Sequence, residues 1–303
     1  MRRAARWRWP LRVSVADRST GQGRVTPGET VAPGNGDLAR AIARGELRLA
    51  YQPKLHLRSQ RICSLEALVR WQHPERGLIL PGEFIPAAEK TDDILALSLW
   101  VIAQAIADQQ VLAMRGHDLP IFVNIAADLL ADAAFIDRAC AMIQAGGTRI
   151  GLEITETSVI RDPAAAIANL QRAAGLGIPV AIDDYGAGLS SLAYLKQLPA
   201  CELKIDKLFI TQLTSSNRDP LIVRSTIDLA HAMEMEVVAE GVESQAALAL
   251  LSVMGCDMAQ GYHISRPVAF DAVTSFLDQY RDGWTANDGH GIAPRWTAAL
   301  KRA

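Results

Sequence analysis

The chain has 303 residues, half of them hydrophobic, enough to bury the core of one large barrel or of two ordinary domains. Its formal net charge of −2 argues against a general binder of nucleic-acid polymers, and the charge is uneven: residues 1–36 carry seven Arg against Asp17 and Glu29, which leaves the remainder acidic. The four cysteines form no C-x-x-C pair, which argues against a disulfide framework or a thiolate zinc site, and no apolar run approaches the ~18 residues of a membrane span.

Residues 1–36 read as a basic arm with Trp7 and Trp9, ending in Pro33-Gly34-Asn35-Gly36. Arg2-Arg3 is followed by no continuous apolar segment, so a secretory signal is not expected, and reduced thiols point to the cytoplasm. Asp37 begins a helix over 38–44 that Gly45 stops. Strands are predicted at 47–53 and 62–71, paired as a hairpin across a short polar connection. A long helix follows over 94–114. Strands at 121–125, 149–155, 179–183, 202–206, 236–240 and 258–262 then alternate with helices at 133–144, 164–175, 192–197, 220–233, 245–254 and 270–280. This alternation predicts a parallel sheet, closed as a β/α barrel in preference to an open doubly wound sheet. The barrel is expected over 37–283, with a tail at 284–303.

In such a barrel chemistry sits at the carboxyl ends of the strands. Those ends read Glu66, Asn124, Glu153, Asp183 with Asp184, Lys204, Glu240 and Gln260, each after apolar residues. Taken singly, most have an ordinary explanation. Glu66 could pair with Arg70, Asn124 could form a turn, and Glu153 and Glu156 could be a strand end and a helix cap. Lys204 is different, because it alternates with Leu203 and Ile205 in a strand expected to be buried on both faces. Asp183 and Asp184 reach one site only if the backbone swings round after the strand, which Gly186 and Gly188 permit. Together these residues make an oxygen-donor set for hard divalent cations such as Mg²⁺ or Mn²⁺, which an acidic body would need in order to bind an anionic substrate. The six His residues form no close pair, against a His-built zinc hydrolase.

The stretches Tyr51-Gln52-Pro53, Glu66-Ala67-Leu68, Val123-Asn124, Glu153-Ile154-Thr155-Glu156, Asp183-Asp184-Tyr185-Gly186, Leu203-Lys204-Ile205-Asp206, Glu240-Gly241-Val242-Glu243 and Gln260-Gly261-Tyr262 occur in this order. On them the chain resembles the EAL domain family, the bacterial cyclic di-GMP phosphodiesterases, over about 37–280. The resemblance implies a modified TIM (β/α)8 barrel with an antiparallel first strand. It implies metal-dependent hydrolysis of cyclic di-GMP to linear pGpG by a water activated between two metals, about 3.5–4 Å apart in sites of this type. By matching position, Glu66, Asn124, Glu153 and Asp183 resemble ligands of one cation, and Asp183, Asp184 and Glu240 ligands of the second. Lys204 resembles the catalytic lysine, and two dications beside it would lower its pKa. Whether Lys204 or Glu240 is the base stays open. Glu156 resembles the acid that anchors the Asp-Asp loop. Gln52, Leu68, Arg70, Asp206 and Pro267 lie where the family contacts substrate, and Gln260 matches a site glutamine of open role. The resemblance also implies a homodimer.

The chain departs from the family pattern at Tyr185, at Leu189 where an aromatic is usual, and over Val123-Asn124-Ile125-Ala126-Ala127. No cyclase or sensor domain is expected. The alternatives are a silent cyclic di-GMP receptor, an EAL interaction module, or a two-carboxylate glycosidase, which would leave Asn124 and Lys204 idle.

Overall fold

The computed structural model describes residues 37–159, 162–186 and 192–284. The basic arm 1–36, Gly188, Leu189 and the tail beyond Trp284 lie outside the described residues.

A short helix α1 (Asp37–Ala43) leads into the hairpin β1 (Leu47–His56) and β2 (Arg61–His73), with Gln52 opposite Glu66. β3 (Gly77–Ile79) adds an antiparallel edge to β2. Helices α2 (Pro81–Ala88) and α3 (Asp93–Met114) follow, then β4 (Ile121–Asn124), α4 (Ala127–Leu130) and α5 (Ala133–Gly146). Next come β5 (Ile150–Thr155), a 3-10 turn (Glu156–Val159), α6 (Pro163–Gly175), β6 (Val180–Tyr185) and α7 (Leu192–Leu195). The chain continues through β7 (Glu202–Ile205), α8 (Lys207–Thr211), α9 (Asp219–Ala232), β8 (Glu236–Ala239) and α10 (Gln245–Val253). β9 (Met258–Ala259), β10 (Val268–Ala269) and α11 (Phe270–Trp284) close the order.

β2, β4, β5, β6, β7, β8 and β9 run parallel, and β1 closes the ring by pairing antiparallel with both β2 and β9. This is the expected closed barrel with one inverted strand. Helix starts carry the side chains that their orphan N–H groups need. Asp132 accepts from Ala134 and Phe135, Asp162 from Ala165, and Ser244 from Ala247.

Several short elements escaped the sequence reading, among them β3, α2, α4, α8 and the two-residue β10. β3 and α4 are too short to show a period. α2 contains Pro86, which argues against a helix, although Pro81 sits at its favoured first position. α8 begins where strand and helix meet with no intervening loop, at Asp206, whose carboxylate accepts from Leu208 N–H at 2.6 Å. β1 runs on through Pro53 to His56 rather than ending at Pro53, and β9 is shorter than predicted. α3 is long and apolar enough to cross a membrane by length and composition, which no apolar run was expected to approach. Its residues Leu97, Val101, Ile102 and Ala105 are buried against the barrel and α5.

Strand alternation sends one set of side chains outward under the helices and the other into the barrel. Tyr51, Leu65, Ile121, Leu152, Ile182, Leu203 and Val237 build the fully buried outer layer. Inside, Phe122 lies opposite Gly151, and a Cβ on Gly151 would stand 2.5 Å from the Phe122 ring. The glycine is therefore the gap that lets a large ring fill the barrel interior. Gly151→Ala should cost about 1–3 kcal/mol in chemical denaturation through overpacking, and an unchanged midpoint would show that Phe122 has room to move.

Candidate active site

The parallel strands deliver their last inward residues to one mouth. Glu66 comes from β2, Asn124 from β4, Glu153 from β5, Asp183 and Asp184 from β6, and Lys204 from β7. Glu240 and Gln260 immediately follow β8 and β9. The centre is the Lys204 ammonium, which is fully buried. It lies 2.7 Å from Glu240 Oε1, 3.0 Å from Asp183 Oδ1, 3.1 Å from Glu153 Oε2 and 3.5 Å from Glu66 Oε2.

Glu66 does not turn to Arg70. Asn124 donates to its Oε1 at 3.0 Å and Gln260 to its Oε2 at 2.6 Å. Gln260 also donates to Gln52 at 3.1 Å, and Gln52 donates to the Ser265 carbonyl at 3.0 Å, just before Pro267. Gln52, Gln260, Glu66 and Asn124 thus form one hydrogen-bonded chain round the mouth. Leu68 and Arg70 continue the inward face of β2 beyond it, both half-buried, and Arg70 Nη1 donates to Val69 O at 2.8 Å. Gly261 makes the close crossing behind Gln260 possible, since a Cβ there would sit 2.2 Å from the Val242 backbone.

The two aspartates converge by a device other than the glycines alone. The β6–β7 register slips between Ile182 and Tyr185, and Asp184 itself takes a left-handed backbone with φ of 55°. Asp is among the few residues that tolerate this region. Gly186 follows with φ of 97°, and a Cβ there would meet Phe209 at 2.7 Å. Glu156 Oε2 accepts the Gly186 N–H at 2.8 Å, which ties the loop to the end of β5. Asp206 is among the acids that push the Asp184 carboxyl up, so it borders the acid cluster itself.

The charges are strongly interdependent. Burial would raise Glu153, but Lys204 and Lys54 outweigh it and hold the carboxyl at about 2. Burial pushes Glu240 up to about 8 against the pull of Lys204. Burial and then Asp183 push Asp184 up to about 6. Glu66 is also raised by burial, with Glu153 and Asp183 repelling it. Burial would lower Lys204, yet Glu153, Glu240, Glu66 and Asp183 hold it well above its ordinary value. The lowering anticipated for this lysine is therefore not produced by the protein's own groups; it would require the dications. Carboxyls raised by burial and by neighbouring acids are groups whose charged form an additional cation would favour.

Oxygens of Glu66, Glu153 and Asp183 lie within 4.8 Å of one another, and so do those of Asp183, Asp184 and Glu240. The two groups share Asp183, and their members are all hard oxygen donors, which suits Mg²⁺ or Mn²⁺. Sequence reasoning missed Lys54 and Glu202. Both are buried below the mouth, where Lys54 donates to Glu153 Oε1 at 2.8 Å and also to Glu202. The signal was available in principle, because Lys54 alternates with Gln52 as Lys204 does with Asp206, but the strand had been ended at Pro53.

A family model for the EAL domain matches residues 35–267. The bifunctional diguanylate cyclase/cyclic di-GMP phosphodiesterase MucR of Pseudomonas aeruginosa is 39% identical over 236 residues, covering 77% of this chain and 34% of MucR. Cyclic di-GMP phosphodiesterase NbdA of the same organism is 39% identical over 249 residues, covering 81% of this chain and 32% of NbdA. The chain thus spans about a third of the length of these curated relatives. A solved structure of PaMucR phosphodiesterase in complex with c-di-GMP superposes with a TM-score of 0.75 at 38% identity, covering 78% of this chain and 98% of that one.

Added Mg²⁺ or Mn²⁺ should raise the unfolding temperature, by about 2.7 kcal/mol of stability at a concentration about 100 times Kd, and EDTA should reverse it. Asp183→Asn, which strikes both carboxylate groups, should abolish the shift; a shift that survives in this variant would place the cation elsewhere.

Proposed function

The chain belongs to the EAL domain family, and from that premise we propose that it is a phosphodiesterase that hydrolyses cyclic di-GMP to linear pGpG with two divalent cations, Mg²⁺ or Mn²⁺. The observation that carries this reading is the pair of carboxylate groups hinged on Asp183. Glu66, Asn124, Glu153 and Asp183 would hold one cation, and Asp183, Asp184 and Glu240 the other. Bound there, the pair supplies an activated water and charge neutralisation at the phosphodiester.

The chain's own groups do the rest. Lys204 Nζ holds a proton 2.7 Å from Glu240 Oε1, so these two residues act as one proton-holding unit facing the attacked phosphate. Gln260 and Asn124 keep both oxygens of Glu66 oriented. Glu156 fixes the Asp184 loop through Gly186. Arg70 stands beyond the acid ring on β2, where a phosphate could accept from its guanidinium. By the family resemblance, Gln52, Leu68, Pro267 and Asp206 would also contact the nucleotide. The family resemblance further supports a homodimer acting in the cytoplasm.

Purified protein with Mg²⁺ should convert cyclic di-GMP to pGpG, read by chromatography, and chelator should stop it. Absence of product with the metal-loaded protein would leave a nucleotide receptor in its place. Glu66→Ala and Lys204→Ala should each lower kcat by at least ~10²-fold, and near-normal turnover in either would break the assignment of that residue.

A further inference from the structure

Below the mouth lies a second charged layer that the proposed reaction does not use. Lys54 comes from the inverted strand β1 and Glu202 from the start of β7; both are buried. The Lys54 ammonium makes three contacts. It donates to Glu153 Oε1 at 2.8 Å, it donates to Glu202, and it sits 4.1 Å from the centroid of the Phe122 ring. Phe122 packs over Gly151, where a Cβ would stand 2.5 Å from its ring. The other oxygen of Glu153, Oε2, faces upward to Lys204 at 3.1 Å.

We infer that Lys54 is a positioning residue for the cation site: tied to β7 through Glu202 and to β4 through Phe122, it captures Glu153 Oε1 from beneath and leaves Oε2 as the oxygen presented at the mouth. This rests on reading the mouth as a divalent-cation site. A carboxylate free to rotate would offer either oxygen or both. One clamped on one oxygen offers a single, directed donor, as outer partners of metal ligands commonly ensure. Two carboxylates on neighbouring layers, Glu153 and Glu202, could not remain charged side by side in the barrel without a cation between them. Lys54 is thus also the group that lets the site sit on a polar floor. β1 is the inverted strand, so its side chains enter the barrel in the opposite chain direction. That gives Lys54 a long stem directed at the floor while Gln52, two residues earlier, joins the rim.

The test uses Mn²⁺ binding by electron paramagnetic resonance, in full-length protein, beside steady-state kinetics. Lys54→Met should weaken Mn²⁺ binding about 10–100-fold, and lower kcat at saturating metal while leaving KM for the nucleotide unchanged. Glu202→Gln, which keeps Lys54 and its contact with Glu153, should bind Mn²⁺ as the wild type does. Lys54→Met combined with Glu202→Gln removes the carboxylate that the single variant strands, so it keeps the fold testable. It should bind Mn²⁺ as weakly as Lys54→Met. Wild-type Mn²⁺ affinity in a folded Lys54 variant would overturn the inference while leaving the proposed function intact. Equal weakening by Glu202→Gln alone would overturn it too, by showing that the network and not the clamp on Glu153 matters. A wild type that binds no Mn²⁺ would overturn both readings together.

Discussion

One buried ammonium holds the mouth of this barrel together. Lys204 has no exposed surface and stands within 3.5 Å of carboxylates from β2, β5, β6 and the end of β8. A lone buried charge costs several kcal/mol, and a buried ion pair is tolerable only when its remaining donors and acceptors are also met. Here most are met by a ring: Asn124 and Gln260 serve Glu66, Gln52 accepts from Gln260, and Lys54 serves Glu153 from below. The acids outnumber the cations, and the carboxyls of Glu66, Asp184 and Glu240 are raised, first by burial and then by the acids beside them. That surplus of negative charge is what an incoming dication would relieve.

The fold supplies this arrangement through strand direction and parity. Parallel strands end at the same mouth, and a side-chain period of two decides which of their residues face inward. On β5 the inward positions are Gly151 and Glu153, on β6 Ala181 and Asp183, and on β7 Glu202 and Lys204. Small residues below and charged residues above recur on β5 and β6, with Phe122 filling the space that the small ones leave. The ladder breaks between Ile182 and Tyr185, where two consecutive residues, Asp183 and Asp184, must serve one site. Bulges beside active sites do this generally: they re-aim one side chain at the expense of local pairing.

Much of this was readable in the sequence, for identifiable reasons. The helix–strand alternation was strong because the strands are mostly apolar and the longer helices have enough positions to show a period. Lys204 stood out because a lysine between Leu203 and Ile205 contradicts its surroundings. The acids at the strand ends stood out as a set, although each alone had a bland explanation. Elements of three to eight residues, such as β3, α2, α4 and α8, carried too few positions for a pattern. Lys54 was overlooked because Pro53 is a poor strand residue. It is tolerated here where β1 meets only antiparallel neighbours and its register with β2 slips one residue later, between Lys54 and Leu55.

The sequence by itself determined the alternation of strands and helices, for which a closed barrel is preferred to an open sheet, and the inventory of oxygen donors and one lysine, because these depend on local periodicity and on residue types at strand ends. Only the tertiary structure decided who touches whom. It replaced an Arg70 partner for Glu66 with Asn124 and Gln260, made Asp184 itself the left-handed residue of the turn, and placed a second lysine under Glu153. These are contacts between residues far apart in the chain. They are fixed by barrel closure and register, which no local pattern encodes.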